Sequence, residues 1–250
     1  MQATPKKTTL TKTIPKKTTP KIKADHGSKR GRIVQELLAQ IVQGKISAGT
    51  RLITQNLEKQ FKTSATPIRE ALAELAGIGI IELLPNRGAT VREMTRRDIR
   101  EISQVRRALE CEAVRLAVGR IDPRQLATLK KYLRQLASKS KSGKKFTQQA
   151  QIIDSRLHDL IARSSRNQHL IRELERFSLL FRSLRDASWV KASPAIERNR
   201  LAEEAAEHEK IVDALLLGDR RAALAAMKMH IQSSARYWMT SRPKNGADVF

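Results

Sequence analysis

Apolar residues recur every three or four positions in three short segments after residue 30, and this spacing predicts three helices. The first helix is expected to end at Gly44, a residue suited to a C-terminal helix cap. Thr54 and Thr66 are expected to cap the second and third helices, with Pro67 at the first helical position of the third. The predicted helices cover residues 31–43, 54–61 and 66–76.

Two short runs of strand-forming residues, 80–84 and 89–92, follow the third predicted helix. Between them lies the turn-forming segment Pro85-Asn-Arg-Gly88, so the pattern predicts a β-hairpin. Three short helices followed by a hairpin are typical of a winged helix-turn-helix domain, which we place at residues 30–94.

Beyond Met94 the sequence shows no strand-like alternation, and six long segments with helical periodicity predict a bundle. Proline, glycine and small polar residues separate these segments. The predicted helices cover residues 96–118, 123–138, 146–163, 169–190, 196–217 and 220–236. The predicted fold class is therefore mostly α, with an N-terminal winged helix-turn-helix and, at residues 95–240, a C-terminal all-α helical bundle.

The charge of the chain favours polyanionic partners, nucleic acid above all, because 49 Lys and Arg face 25 Asp and Glu for a net charge of +24. Residues 1–30 contain eight lysines and one arginine against one acidic residue, Asp25. Such a segment cannot build an apolar core, so residues 1–29 are predicted to be a disordered basic arm and residues 241–250 a tail. The arm either adds sequence-independent affinity for DNA phosphates or has no specific role.

A single cysteine, Cys111, excludes a disulfide framework and favours a reducing compartment. The basic N-terminus lacks the apolar run of a secretory signal, and no stretch of roughly 18 apolar residues could span a bilayer. The protein is therefore expected to be cytoplasmic and nucleoid-associated, with no membrane partner.

Three of the five histidines fall at positions that suit a metal site. His158 follows Asp154 by four residues, so the two side chains share a helix face about 5–6 Å apart at Cβ. His208 and His230 lie on other predicted helices that could complete the site. Three imidazoles and one carboxylate suit a divalent ion, with zinc first and nickel or manganese as alternatives. The spacing alone also fits an ordinary surface or core pair.

The segments IVQGKISAGTRL, TSATPIREAL and GIGIIELLPNRGATV resemble the winged-helix domain of GntR-type regulators over residues 31–94. The resemblance implies a recognition helix in the major groove of DNA and a wing at the adjacent minor groove or backbone. The DNA-binding residues that it implies are Gln55, Ser64, Thr66, Arg69, Arg87 and Gly88. Helix capping is the alternative role for the two hydroxyl residues. Ala65 stands where the family commonly has arginine, so one contact is missing.

The segments RRALECEAVRLA, DSRLHDLIARSSRN and EHEKIVDALLLGDRRAALAAMKMH resemble the C-terminal ligand-binding (FCD) domain of the FadR subgroup, in its six-helix VanR-like type. This resemblance covers nearly all of residues 95–236. It implies a divalent metal on Asp154, His158, His208 and His230, and a small carboxylic acid as effector at the metal. It also implies that Arg106 faces the effector pocket, although an ion pair with Glu110 is the alternative.

These features together predict a homodimeric transcription regulator, first of all a repressor, that binds double-stranded operator DNA and is not an enzyme. A metal-dependent hydrolase is one alternative, but HExxH, GxSxG and a phosphate-binding glycine loop are missing from the sequence. A nonspecific architectural DNA-binding protein is the other, because residues 95–250 also carry 32 basic against 18 acidic residues.

Overall fold

The computed structural model describes residues 29–85, 88–138, 144–190 and 194–240. Apart from Lys29, the predicted arm and the C-terminal tail lie outside these residues. The described helices and strands, in chain order, are α1 (Lys29–Val42), β1 (Arg51–Leu52), α2 (Thr54–Phe61), α3 (Ala65–Gly77), β2 (Ile81–Leu84), β3 (Gly88–Val91), α4 (Arg96–Ala117), α5 (Pro123–Ala137), α6 (Lys144–Ser164), α7 (Gln168–Val190), α8 (Pro194–Leu216) and α9 (Arg220–Thr240). The predicted fold class, mostly α with a small N-terminal hairpin, is confirmed.

The first domain packs α1, α2 and α3 against a small antiparallel sheet. The strand order is β1-β3-β2, and the hairpin of β2 and β3 pairs Leu84 with Gly88. Helices α1 and α3 bury Leu37, Ile68 and Leu75, none of which exposes any surface. The sequence pattern did not predict β1, because a strand of two residues is too short to show an alternation. We call this first domain the head.

Two helix starts differ from the predictions. Thr54 is the first helical residue of α2, and the extended residue Ile53 is the N-cap, without a side-chain cap hydrogen bond. Helix α3 begins at Ala65 with Ser64 as the N-cap, so Thr66 lies inside the first turn. Pro67 is therefore the third helical residue, which is tolerated because the first-turn N–H groups have no partner within the helix.

The six helices predicted for the second domain are confirmed as α4 to α9, each within a few residues of its predicted ends. Side-chain caps explain where several of these helices begin. Thr95 and Asp98 form a capping box at α4, Asn167 Oδ1 accepts from Leu170 N at 3.1 Å, and Asp219 Oδ1 accepts from Ala222 N at 2.9 Å. None of the described helices combines the length and the apolar character needed to cross a bilayer.

The head and the helical domain share an apolar core at α7. The buried cluster of the head includes Leu180, Phe181 and Leu184 of α7, together with Trp238 of α9. Arg176 Nη2 of α7 also donates to the carbonyl oxygen of Gly77, at the end of α3, at 2.8 Å. Because α7 contacts both the core of the head and the end of α3, a displacement of α7 would act directly on the head.

Replacing Gly88 with alanine is expected to destabilise the wing. Gly88 has φ +86°, and an added Cβ would lie 2.4 Å from the Leu52 carbonyl oxygen of β1. The left-handed conformation costs alanine about 1–2 kcal/mol, and the backbone contact adds to that cost. Thermal unfolding measures the loss. Gly44→Ala is the matched control, since Gly44 has φ +72° and nothing within 4 Å of an added Cβ. Equal losses in both variants would contradict the role of the Leu52 contact.

Candidate metal centre and nucleic-acid interface

The helical domain brings Asp154 and His158 of α6, His208 of α8 and His230 of α9 together in its interior. One donor atom from each residue lies within 4.8 Å of every other. His208 Nε2 is 3.3 Å from His158 Nε2, 3.2 Å from His230 Nε2 and 3.5 Å from Asp154 Oδ1. The same four residues stand out from the histidine pattern of the sequence.

The imidazoles of this cluster direct their Nε2 atoms at one another. The Nδ1 atoms of His158 and His230 each face a carboxylate oxygen, of Glu110 and Glu207 respectively. A carboxylate only accepts hydrogen bonds, so in the neutral rings both Nδ1 atoms carry the proton and both Nε2 atoms keep a lone pair. Arg106 Nη2 lies 3.4 Å from His158 Nε2, and a proton on His208 Nε2 could satisfy one of these lone pairs. One cation bound by all three rings would satisfy both.

The spacing of the donor atoms fits a small divalent ion. Four ligands at roughly 2.0–2.1 Å from a tetrahedral zinc stand about 3.3–3.4 Å from one another. The His208 Nε2 distances to the other three donors and the His158 Nε2–Asp154 Oδ1 distance run from 3.2 Å to 3.7 Å, and all donor pairs lie within 4.8 Å. A small contraction of the cluster would therefore bring the four donors to ligand distance.

Burial determines the charge of two of the three histidines. It lowers the pKa of His208 to about 4 and places the pKa of His230 well below its usual value. Burial also acts against the charged form of His158, but the adjacent Glu110 carboxylate outweighs it and the pKa of His158 is raised. His208 and His230 are thus neutral near pH 7, which is the form that binds metals.

Two carboxylates of the site, those of Glu110 and Asp154, are ionised. Burial alone would raise their pKa values, but Arg106 beside Glu110 and Arg185 beside Asp154 outweigh it and hold both pKa values well below the usual range. Arg185 Nη1 contacts Asp154 Oδ2, while Asp154 Oδ1 faces the histidines. Asp154 can therefore offer a charged oxygen to a cation while an arginine holds its other oxygen.

A cavity of about 50 Å³ lies beside the cluster. Its walls include Asp154 and His158, the apolar side chains of Phe181 and Trp238, four arginines (Arg106, Arg163, Arg182 and Arg185) and four further carboxylates (Glu110, Asp159, Glu175 and Glu204). One water molecule needs about 10–15 Å³ measured in this way, so the cavity has room for a small molecule. Arginines from α4, α6 and α7 thus lie beside the candidate metal site, together with carboxylates.

Arg106 forms an ion pair with Glu110 and also lines the cavity, so its position is compatible with both alternatives that the sequence left open. Its Nε donates to Glu110 Oε1 at 2.6 Å, which is the ion pair expected within α4. Its guanidinium also lines the cavity, with Nη2 3.4 Å from His158 Nε2. The carbon of the guanidinium lies 5.1 Å from the ring centre of Phe181 and 5.6 Å from that of Trp238. These contacts fix the guanidinium between the candidate site and the shared core.

Four of the predicted DNA-binding residues lie exposed near the starts of α2 and α3: Gln55, Ser64, Thr66 and Arg69. Gln55 and Arg69 line one groove with Gly88 of the wing. Ser64 and Thr66 lie outside the lining of that groove, in or beside the first turn of α3. Ser64 makes no side-chain cap hydrogen bond, so capping does not occupy its hydroxyl group. Arg87 lies outside the described residues.

The groove is open enough for the backbone or a base edge of a DNA duplex to enter. It lies between α2, α3 and the wing, and Arg51 and Arg69 contribute positive charge to its wall. Among the described residues Arg69 forms no salt bridge, so its guanidinium can fork onto guanine or phosphate oxygens. Gly88 contributes no side chain to a DNA contact, and the structure gives it a role in the close approach of β3 to β1.

Three residues of the site did not stand out from the sequence as partners of a metal ligand: Glu110, Glu207 and Arg185. Glu110 was expected only as a partner of Arg106. Glu207 directly precedes His208 in the sequence, but its carboxylate contacts His230, on α9. Arg185 lies 31 residues after Asp154. Each contact joins two helices, so no spacing within one helix could have indicated it.

Comparison with known proteins identifies two matching regions. Residues 29–91 match the bacterial regulatory proteins of the gntR family, and residues 101–233 match the FCD domain. The two regions coincide with the head and with most of the helical domain. The resemblances noted in the sequence are therefore confirmed.

Two curated relatives are Escherichia coli (strain K12) proteins. The HTH-type transcriptional regulator McbR is 36% identical over 121 residues, which are 48% of this chain and 55% of McbR. The alignment with McbR thus spans about half of its length. The HTH-type transcriptional repressor RspR is 28% identical over 216 residues, which cover 86% of this chain and 90% of RspR.

Solved structures share this fold. E. coli McbR superimposes with a TM-score of 0.67 and 26% identity, over 85% of this chain and 98% of that one. A putative transcriptional regulator GntR from Rhodococcus sp. RHA1 has a TM-score of 0.60 and 19% identity, over 86% and 99% of the two chains. The second similarity shows the fold alone.

Proposed function

The chain belongs to the GntR family of bacterial regulatory proteins and carries an FCD domain, and we propose that it is a transcriptional repressor controlled by a small carboxylic acid. In this proposal the head binds operator DNA, and the helical domain holds the acid at a divalent metal, zinc first. The names of the relatives McbR and RspR, a regulator and a repressor, support a regulator over a hydrolase or an architectural protein.

The observation that carries the metal proposal is the cluster of Asp154, His158, His208 and His230, whose donor atoms lie within 4.8 Å of one another in the interior. Nitrogen-rich ligand sets of this kind suit zinc, and nickel and manganese remain the alternatives. A bound divalent ion supplies a Lewis acid for a carboxylate oxygen. The arginines of the cavity wall would bind the rest of an anionic ligand.

The effector that suits this cavity is small and negatively charged. Its volume of about 50 Å³ corresponds to a few heavy atoms, and Arg106, Arg182 and Arg185 line it. Arginine binds carboxylates through paired N–H donors, so these side chains favour an acid over a neutral ligand. All three arginines already contact acidic side chains, and an effector carboxylate would compete with Glu110, Asp159 or Asp154 for them.

Helix α7 offers the route from the cavity to DNA. Its residues Phe181, Arg182 and Arg185 line the cavity, and Leu180 and Leu184 lie in the core of the head. An acid that binds better to one position of α7 than to another shifts the balance between the two positions. We propose that this shift changes the orientation of the two heads of a homodimer on a pseudo-palindromic operator.

DNase footprinting of the DNA flanking the gene, followed by titration with candidate carboxylic acids in the presence of zinc, tests this proposal. We expect one protected site, and we expect at least one acid to change the affinity for it by about 5- to 150-fold, the usual range of allosteric coupling. The same acid must bind more weakly or more tightly by the same factor when operator DNA is present. A protein that protects no site near its own gene would contradict the proposal.

A further inference from the structure

Two histidines of the cluster are oriented by carboxylates from helices other than their own. Glu110 of α4 accepts from Nδ1 of His158 on α6, and Glu207 of α8 accepts from Nδ1 of His230 on α9 at 2.9 Å. The side chain of Glu110 is 7% exposed and that of Glu207 is 21% exposed. These contacts are inside the domain, where they are shielded from water.

Each carboxylate is in turn held by an arginine. Arg106 Nε donates to Glu110 Oε1 at 2.6 Å, and Arg200 Nη1 lies 3.4 Å from Glu207 Oε1. The Arg200 guanidinium is itself fixed by Ser233 Oγ of α9 at 3.0 Å and lies over the ring of Tyr237. Two chains of contacts, arginine to carboxylate to imidazole, therefore converge on the cluster from different sides.

These contacts determine which tautomer His158 and His230 adopt. Since each carboxylate accepts from Nδ1, the proton of the neutral ring stays on Nδ1 and the Nε2 lone pair faces the other donors. Without the carboxylate, either nitrogen could carry the proton, and the ring could turn about its χ2 bond. A carboxylate hydrogen bond also makes the imidazole a stronger ligand.

We infer that Glu110 and Glu207 are positioning residues of the metal site: they hold His158 and His230 with Nε2 free to bind the ion and take no part as ligands themselves. This inference rests on the proposed metal site. It is distinct from the resemblance to the FCD domain, which implied four ligands only. It also accounts for the two glutamates that contact His158 and His230 in addition to the candidate ligand Asp154.

The test is the zinc affinity of Glu207→Gln and Glu207→Met, measured by competition with a chromogenic chelator at constant pH. Glutamine keeps an acceptor oxygen but loses the charge, whereas methionine of similar length removes the acceptor. Loss of an outer-shell partner typically costs about 10- to 100-fold in metal affinity. We expect about 10-fold weaker binding for Glu207→Gln and about 100-fold for Glu207→Met. The visible spectrum of the cobalt-substituted protein should change in the same order.

Glu209→Gln and Glu209→Met are the matched controls. Glu209 lies two residues further along α8, and its carboxylate also binds an arginine, with Arg134 Nε at 2.7 Å from Oε1. Within the described part of the chain, the Glu209 carboxylate has no hydrogen bond or ion pair with a histidine ring. The zinc affinity of these controls should equal that of the parent. Circular dichroism and thermal unfolding of the metal-free proteins separate a loss of fold from a loss of ligand orientation.

Glu110→Gln, with Glu112→Gln as its control, repeats the test at the second histidine. Glu112 lies two residues along α4 and pairs with Arg115 at the surface. A parent that binds zinc together with a Glu207→Met variant of equal affinity would overturn this inference and leave the metal site in place. A parent that binds no zinc would overturn the metal site and the inference with it.

Discussion

Replacing His208 with alanine is expected to remove high-affinity metal binding and, with it, the response to the effector. His208 lies at the centre of the cluster, since its Nε2 lies 3.2–3.5 Å from a donor atom of each of the other three residues. Structural zinc sites with four ligands bind with about 10–16 kcal/mol, or roughly 2.5–4 kcal/mol for each ligand if shared evenly. The expected loss in affinity is therefore about 100- to 1000-fold.

Metal analysis of the purified parent and variant, together with a chelator competition, measures this loss. His169→Ala is the control, because His169 is exposed in the first turn of α7 and belongs to no cluster of metal donors among the described residues. The control should keep the metal content of the parent. If His208→Ala retained that content, the ligand set proposed for the helical domain would be wrong.

Replacing Arg69 with alanine is expected to abolish specific operator binding while leaving the fold and the effector affinity unchanged. Arg69 is exposed in the second turn of α3 and lines the groove between α2, α3 and the wing. One forked contact from arginine to guanine contributes about 1–3 kcal/mol to discrimination. In a homodimer both heads lose this contact, so the expected cost is about 2–6 kcal/mol, or roughly 30-fold to 10⁴-fold in affinity.

An electrophoretic mobility shift titration at fixed salt measures the effect of Arg69→Ala. Arg97→Ala removes the same charge from α4, where the side chain is 83% exposed and pairs with Glu101. This control accounts for the general loss of positive charge, which acts on any duplex. An equal and small loss in both variants would remove Arg69 from the set of base contacts.

The sequence predicted the helices well because their ends carry local chemistry. Asn167 and Asp219 each accept a hydrogen bond from a backbone N–H three residues later, an interaction set by neighbouring residues alone. The hairpin was likewise predicted from neighbouring residues. The first residue of α3 was not predicted correctly, because Ser64, Thr66 and Pro67 are all acceptable in or just before a first helical turn.

Two of the four residues of the candidate metal site can be predicted from their spacing within one helix. The other two can be placed there only when the packing of several helices is known. Asp154 and His158 share a face of α6 because they are four residues apart. Their meeting with His208 and His230 depends on how α8 and α9 pack, which periodicity does not specify. The resemblance to the FCD domain supplied those two ligands, and the tertiary structure alone shows the contacts of Glu110 and Glu207.

The proposed repressor must recognise a particular DNA sequence through the groove of the head. Selection of bound sequences from a random duplex pool, followed by the ratio of affinities for the enriched site and a scrambled duplex at physiological salt, tests this recognition. We expect an enriched two-fold-related site bound at least about 10³-fold more tightly than the scrambled one. Equal affinity for the two duplexes would contradict it and would favour an architectural protein bound to DNA through charge alone.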